Sequence, residues 1–146
     1  GECAAHRGIA YGLVAPLFEQ GKVVANHLAE FGIGRYQGSL TSTKLKVTGI
    51  DLFSAGNFQG GQETEEIVLS DPFAGVYKKL VIQDDKLVGA CLYGDTVDGS
   101  WYFKLLREGR SVADIRERLM FGESNIGDTG HEGNTKAAAM ADTDEV

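Results

Sequence analysis

Val76-Tyr77-Lys78-Lys79-Leu80-Val81-Ile82, then Gln83-Asp84-Asp85-Lys86, then Leu87-Val88-Gly89-Ala90-Cys91-Leu92-Tyr93 is the stretch that decides the fold. Two apolar, β-branched runs flank a short polar segment of turn formers, which is the signature of a β-hairpin. An antiparallel sheet built on such a hairpin buries one face and needs other elements to cover it. The flanking sequence supplies both strands and cover. Upstream, Leu45 and Val47 alternate with Lys44 and Lys46, and Ile50, Leu52 and Phe53 follow Gly49, a candidate bulge. Residues 56–65 read as an exposed loop and Ile67–Leu69 as a short strand. Downstream, Asp98 is placed to cap a helix over Ser100–Glu108, with Gly109 as its stop. Ser111 with Asp114 forms a capping box for a second helix, whose apolar stripe is Val112, Ile115 and Leu119 and whose end is Gly122. The expectation is an α+β fold in which an antiparallel β-meander is covered by two C-terminal helices.

Ahead of this unit, residues 1–12 read as loop and a helix is expected from about Pro16 to Phe31. Pro16 suits a first-turn position. Leu17, Val24, Leu28 and Phe31 share one face, and Gly32 and Gly34 end the helix. Residues 32–43 then connect two structural units, and from Glu123 the chain is polar and acidic apart from Ala137–Ala141. The expected division is 1–34, 35–122 and a linker or tail over 123–146. Gly1 stands where a start methionine would be, in a dense motif with no strand before it, so a piece of a longer chain is expected.

Composition limits the partners. The 146 residues carry a net charge of −7 and no stretch of five basic residues, so neither nucleic acid nor a membrane surface is an expected partner. Apolar runs are too short to span a bilayer, no charged-then-apolar leader pattern is present, and the cytoplasm is the expected compartment. Twenty glycines are about twice the usual ~7% share. They follow no collagen-like period, and they cluster where turns and close backbone approach are needed.

The residue types that carry chemistry do not converge. Gly32-Ile33-Gly34-Arg35-Tyr36-Gln37-Gly38 misses the dinucleotide fingerprint, because the third glycine is one place late and the segment follows a helix. Cys3 and Cys91 lie too far apart in sequence for a redox pair, and Cys91 sits among strand residues as a small hydrophobe. His6, His27 and His131 lack metal-ligand spacing and read as solvent-exposed side chains, so no metal site is expected. Glu63, Glu65, Glu66 and Asp71 read as a solvated acidic face, and Trp101, Tyr102 and Phe103 as helix packing. No self-contained catalytic residue set is expected within the chain.

Gly1-Glu2-Cys3-Ala4 resembles the second flavin-contact motif of flavoproteins with two dinucleotide-binding domains, and Leu13-Val14-Ala15-Pro16-Leu17-Phe18-Glu19-Gln20 resembles the start of the helix that follows it. The resemblance implies that Gly1 and Glu2 meet the ribityl chain of FAD. It also implies that Val14 and Ala15 offer backbone N–H groups to the flavin's pyrimidine edge, where a helix N-terminus stabilises negative charge. Glu2 stands where the wider superfamily more often has Asp. More specifically, several stretches resemble the large subunit of assimilatory NAD(P)H-dependent nitrite reductases. They are Glu2-Cys3-Ala4 with His6-Arg7-Gly8, Tyr11–Pro16, Thr43–Val47 with Gly49–Gly56, Tyr77–Leu80, Leu92–Thr96 and Phe121–Asp128.

That resemblance covers essentially the whole chain, and the central part is similar to the C-terminal domain of NADH–rubredoxin-type reductases. It implies that 1–34 ends an FAD domain and that 35–122 is a cap or interface domain packing against the flavin and NAD(P) domains of the same chain. In that family FAD takes a hydride from NAD(P)H, and iron–sulfur and sirohaem centres carry electrons to nitrite in nitrogen assimilation. The NAD(P)H, iron–sulfur and sirohaem sites would lie outside these residues. The fragment alone is then expected to be structural and to carry no flavin. Two other readings stay open: the C-terminal domain of a rubredoxin or ferredoxin reductase, and a homodimerisation module.

Overall fold

The computed structural model describes residues 1–29 and 32–126. Phe31, His131, Ala137–Ala141 and the rest of the acidic tail after Ile126 lie outside the described residues. Strands β6 (Val76–Gln83) and β7 (Lys86–Tyr93) form the expected hairpin. Gln83 pairs with Lys86 across a two-residue turn in which Asp84 and Asp85 both have positive φ, 50° and 58°. That is the left-handed turn matching the twist of a hairpin, and Asp tolerates it better than most side chains. β5 (Glu65–Asp71) pairs with β6, completing a three-stranded meander. β3 (Ser42–Val47) and β4 (Ile50–Gly56) form a second hairpin that lies against the free side of β7, giving the order β3-β4-β7-β6-β5, antiparallel throughout. Gly49, with φ of 77°, sits in the two-residue turn between paired Val47 and Ile50; the register shift in the sheet falls instead at Val81/Ile82.

One face of the sheet carries Phe53, Ala55, Leu80, Ile82, Ala90 and Leu92, all buried. Helix α2 (Gly99–Glu108) covers it with Trp101, Tyr102, Leu105 and Leu106, so the aromatic opening of this helix is core packing. Gly99 has to be glycine, because a Cβ there would press into the Phe53 ring. Gly109 ends the helix in the left-handed conformation, φ 58°, as its position suggests.

The second covering element is a 3₁₀ segment over Ala113–Phe121 rather than an α-helix. Its nine residues run between two anchors: Val112 N–H donates to the Asp85 carbonyl in the β6–β7 turn (2.7 Å), and Glu123 N–H donates to the Asp98 carboxylate (3.2 Å). At ~2.0 Å rise per residue a 3₁₀ segment spans about 18 Å, whereas an α-helix would span about 13 Å. The capping box is not formed; Ser111 Oγ accepts from Ala113 N–H in a local turn. Asp98 likewise makes no side-chain cap on α2, its carboxylate being used by Glu123. The ordered chain continues through a short turn at Glu123–Asn125, and Ile126 packs against the core.

Two polar features hold the cover in place. The buried Tyr102 hydroxyl donates to the Leu119 carbonyl (2.8 Å), joining α2 to the 3₁₀ segment. Burial, with Asp98 and Asp95 nearby, pushes this phenol well above its ordinary range, so it stays a donor. Lys78 sits on the core-facing side of β6, opposite Leu92 and Leu69. Its ammonium reaches Asp95 at 2.6 Å and Asp98 at 3.9 Å. A buried lysine persists only with such partners.

The opposite face is covered over one half only. The β4–β5 connection crosses it: Asn57 N–H donates to the Val88 carbonyl (2.8 Å), and the Gln59 carbonyl accepts from Lys79 Nζ (3.3 Å). Gly89 is required beneath it, since a Cβ would overlap the Asn57 backbone. The other half, with Leu45, Leu52, Tyr77 and Tyr93 aligned in one row across four strands, is open.

Tyr102→Phe leaves the Leu119 carbonyl without its donor and is expected to cost about 1–3 kcal/mol in chemical denaturation. An unchanged midpoint would show that the bond does not hold the cover. The lysine gives a pH signature. The hydrogen bond from Lys78 lowers the Asp95 carboxyl below its ordinary value, so this contribution to stability is complete at neutral pH. It disappears as pH falls through and below about 4. Lys78→Met should therefore lower the melting temperature at pH 7 and leave a shallower loss between about pH 5 and 3 than the parent shows; parallel pH profiles would contradict the pairing.

Candidate functional site

The described residues up to Leu40 fold around helix α1 (Val14–Leu28). The chain turns at Gly1–Ala4, where Ala4 N–H donates to the Gly1 carbonyl (2.9 Å). It then forms a two-stranded ribbon of β1 (Ala5–His6) and β2 (Ile9–Ala10). Arg7 and Gly8, both at positive φ, make the turn between them. Tyr11, Gly12 and Leu13 lead into α1, which starts two residues earlier than expected and places Pro16 at its third position.

The start of α1 has the makings of an anion or dipole site. Leu13 is extended, with φ −120° and ψ 144°, and provides no side-chain cap; no acidic side chain lies in the first turn. The N–H groups of Val14 and Ala15 belong to the first turn and have no partner within a helix, and Pro16 has none to offer. Val14 and Ala15 are exposed, Val14 by 68%. Glu2, twelve positions away in sequence, comes to this same place: its Oε1 would lie 3.9 Å from a Cβ on Gly12. The fold therefore brings Glu2 beside the segment that opens into Val14 and Ala15. A carboxylate acceptor close to Gly12, two residues ahead of uncapped backbone donors, fits a polyhydroxyl chain joined to a ring with carbonyl and imide groups, as in a flavin. Gly1 is exposed, with open space where its Cβ would be.

The remaining candidates are dispersed. His27 is exposed, whereas His6, expected at the surface, is half-buried, its ring edge-on to Tyr36 with centroids 4.8 Å apart. Cys3 is exposed and Cys91 half-buried on β7, both free. Burial pushes the Cys91 thiol up against the opposing effect of Lys79, so it is protonated at neutral pH. Glu66 pairs with Lys79 (2.7 Å), Glu65 pairs with Arg116, and Asp71 accepts from Phe73 and Ala74 N–H (3.0 Å each) in its own turn. Among the described residues no three His, Cys, Asp or Glu side chains gather in metal-binding geometry, and no helix is long and apolar enough to cross a membrane.

A polar cluster beside the flavin-like motif had no sequence signal. Ser39 Oγ donates to Glu19 on α1, Tyr36 Oη lies 2.5 Å from Ser39 Oγ, and Ser39 N–H donates to Tyr11 Oη (3.2 Å). Residues 11, 19, 36 and 39 share no periodicity that would announce their meeting. The apolar stripe of α1 is only partly covered among the described residues: Leu17 is half-buried, while Phe18, Val24 and Leu28 are exposed. With Gly21 and Ala25, it borders an open apolar groove along the helix.

Residues 42–110 match the family model of the rubredoxin NAD+ reductase C-terminal domain. Nitrite reductase [NAD(P)H] from Bacillus subtilis is 42% identical over all of this chain, which spans 18% of that protein. The assimilatory nitrate reductase electron transfer subunit of the same organism is 44% identical over 86% of the chain and 16% of its own length. The nitrite reductase (NADH) large subunit of Escherichia coli is 34% identical over 67% of the chain and 12% of its length. The chain thus spans less than a fifth of the relatives it matches. In three dimensions NADH:rubredoxin oxidoreductase from Clostridium acetobutylicum has the same fold, with TM-score 0.55 at 20% identity over 86% of this chain and 31% of that one. Residues 42–110 thus correspond to the rubredoxin NAD+ reductase C-terminal domain, and the chain belongs to the family of NAD(P)H nitrite reductase large subunits, corresponding over its whole length to one segment of them.

Proposed function

We propose that this chain works as the flavin-side C-terminal segment of an NAD(P)H-dependent, FAD-containing nitrite reductase of nitrogen assimilation. In this reading residues 1–34 close the FAD domain, 35–122 form a cap against the flavin and NAD(P) domains of the same protein, and 123–146 lead away from it. The observation that carries the reading is the approach of Glu2 to Gly12, two residues ahead of the uncapped start of α1. When bound, FAD would supply acceptance of a hydride from NAD(P)H and onward transfer of electrons. The chain's own residues have simpler tasks. The Glu2 carboxylate accepts hydrogen bonds from ribityl hydroxyls, and the Val14 and Ala15 N–H groups donate to the pyrimidine edge. The positive end of the α1 dipole favours negative charge there, and water is displaced from Leu13 and Val14.

Iron–sulfur and sirohaem groups belong to other parts of such an enzyme in this proposal, since Cys3 and Cys91 cannot supply a four-thiolate set. The open stripe of α1 and the bare half of the sheet are the surfaces on which the flavin and NAD(P) domains would pack. A nitrate reductase electron transfer subunit is the second reading, favoured by the 44% identity of that relative. It assigns the same role to Glu2 and α1 and differs in the electron acceptor.

The test is a chimera of the Bacillus subtilis nitrite reductase in which this chain replaces the 146 residues it aligns with. The chimera is expected to retain FAD and nitrite-dependent NAD(P)H oxidation. Glu2→Ala should weaken FAD binding by roughly tenfold or more, the loss of hydrogen bonds to a charged acceptor, while the 146-residue chain alone purifies without a flavin absorbance band. A chimera whose FAD affinity ignores Glu2→Ala, or an isolated chain carrying stoichiometric flavin, would overturn the proposal.

A further inference from the structure

We infer that Tyr11, Tyr36, Ser39 and Glu19 are positioning residues that aim the first turn of α1 at the flavin, an inference that rests on the flavin reading above. The hydrogen-bond directions are set by donor count. Glu19, as a carboxylate, only accepts, so Ser39 spends its single hydroxyl proton on it, and Tyr36 Oη must donate to Ser39 Oγ. The Ser39 backbone N–H is a separate donor and goes to Tyr11 Oη. One residue of the connector therefore holds two points of the flavin segment: Tyr11, just ahead of the helix, and Glu19, in its second turn.

Between those two points lie Gly12, Leu13, Val14 and Ala15. With Tyr11 and Glu19 both fixed to Ser39, the angle at which Gly12–Leu13 enters α1 is fixed, and with it the direction of the Val14 and Ala15 N–H groups. The geometry is supported on two further sides. The Tyr36 ring is edge-on to His6 (4.8 Å) and to Tyr11 (6.0 Å), so the same residue ties the β1–β2 ribbon to the helix entry. Gly38, at φ 99°, leaves room for Tyr11 Oη, which would lie 3.3 Å from a Cβ there. Pro16 and Gln20, one turn apart, are the buried residues of α1. Three residues beyond Ser39 the chain enters β3, so the clasp also links the cap domain's edge strand to the flavin motif.

The probe is FAD itself, titrated into the apo form of the chimera described above and read by flavin absorbance and fluorescence alongside the melting temperature of the apo protein. Ser39→Ala and Tyr11→Phe are each expected to weaken FAD binding about tenfold, the effect of losing one well-placed hydrogen bond or the alignment it holds. Ser39→Thr, which keeps the hydroxyl, should restore most of the affinity, and the milder Tyr36→Phe guards against a variant that fails to fold. A lowered melting temperature with unchanged FAD affinity in Ser39→Ala, Tyr11→Phe and Tyr36→Phe would overturn the inference, leaving the cluster a purely structural clasp. Glu2→Ala separates the two claims: it should still release flavin in that case, whereas unchanged affinity in Glu2→Ala and in the clasp variants overturns both the inference and the reading beneath it.

Discussion

The hydrogen bond from the buried Tyr102 hydroxyl to the Leu119 carbonyl is the contact on which the domain depends. A sheet with one apolar face must be covered, and here the cover is split between a ten-residue α-helix and a 3₁₀ segment too irregular to hold its place by helical propensity. Tyr102 places its ring in the core and its one polar atom on the backbone of the other element, so burying the aromatic also docks the 3₁₀ segment. Asp98 and Lys78 do the same at the edge of the cover. One carboxylate receives the Glu123 N–H, lies near the Lys78 ammonium, and occupies space that only a glycine at 122 leaves free. Apolar area drives the collapse, and these few polar contacts select where the second covering element lies.

The N-terminal segment is organised on a different principle. It has little core of its own: Pro16 and Gln20 are the buried positions of α1, and most of its apolar stripe is exposed. What orders it is a set of directional contacts from the connector, Ser39 to Glu19 and to Tyr11, with Tyr36 wedged between the ribbon and the helix entry. A region held by hydrogen bonds and aromatic edges, with exposed apolar surface beyond them, suits a surface that is completed by other domains. The α+β unit is internally complete on its helical side, and that asymmetry agrees with a segment that matches less than a fifth of its relatives' length.

Local rules reach part of this arrangement and fail at identifiable places. The β6–β7 hairpin was legible because Asp84-Asp85 permits a left-handed turn between two strand formers, and the end of α2 because Gly109 adopts the left-handed conformation there. The pairing of β4 with β7, the passage of residues 57–64 across the outer face and the need for a glycine at 89 were not, since each depends on where a distant strand lies. Asp98 shows how tertiary contacts override a propensity: it occupies an N-cap position by sequence, yet its carboxylate serves the backbone of Glu123. The spacing of Val112, Ile115 and Leu119 permits an α-helix as well as a 3₁₀ segment, and the contacts that anchor its two ends, to Asp85 and Asp98, lie far off in sequence. For the site, Glu2 and the start of α1 were each recognisable only through resemblance to flavoproteins, and their approach through Gly12 is a property of the folded chain. The clasp left no trace in the sequence.

In the proposed arrangement Glu2 and the first turn of α1 together face the flavin. The most direct measurement is a crystal structure of the FAD-loaded chimera. The Glu2 carboxylate is expected within hydrogen-bond distance of the ribityl hydroxyls, with the Val14 and Ala15 N–H groups directed at the pyrimidine edge. A flavin bound elsewhere, with Glu2 and the start of α1 open to water or covered by another part of the protein, would contradict it.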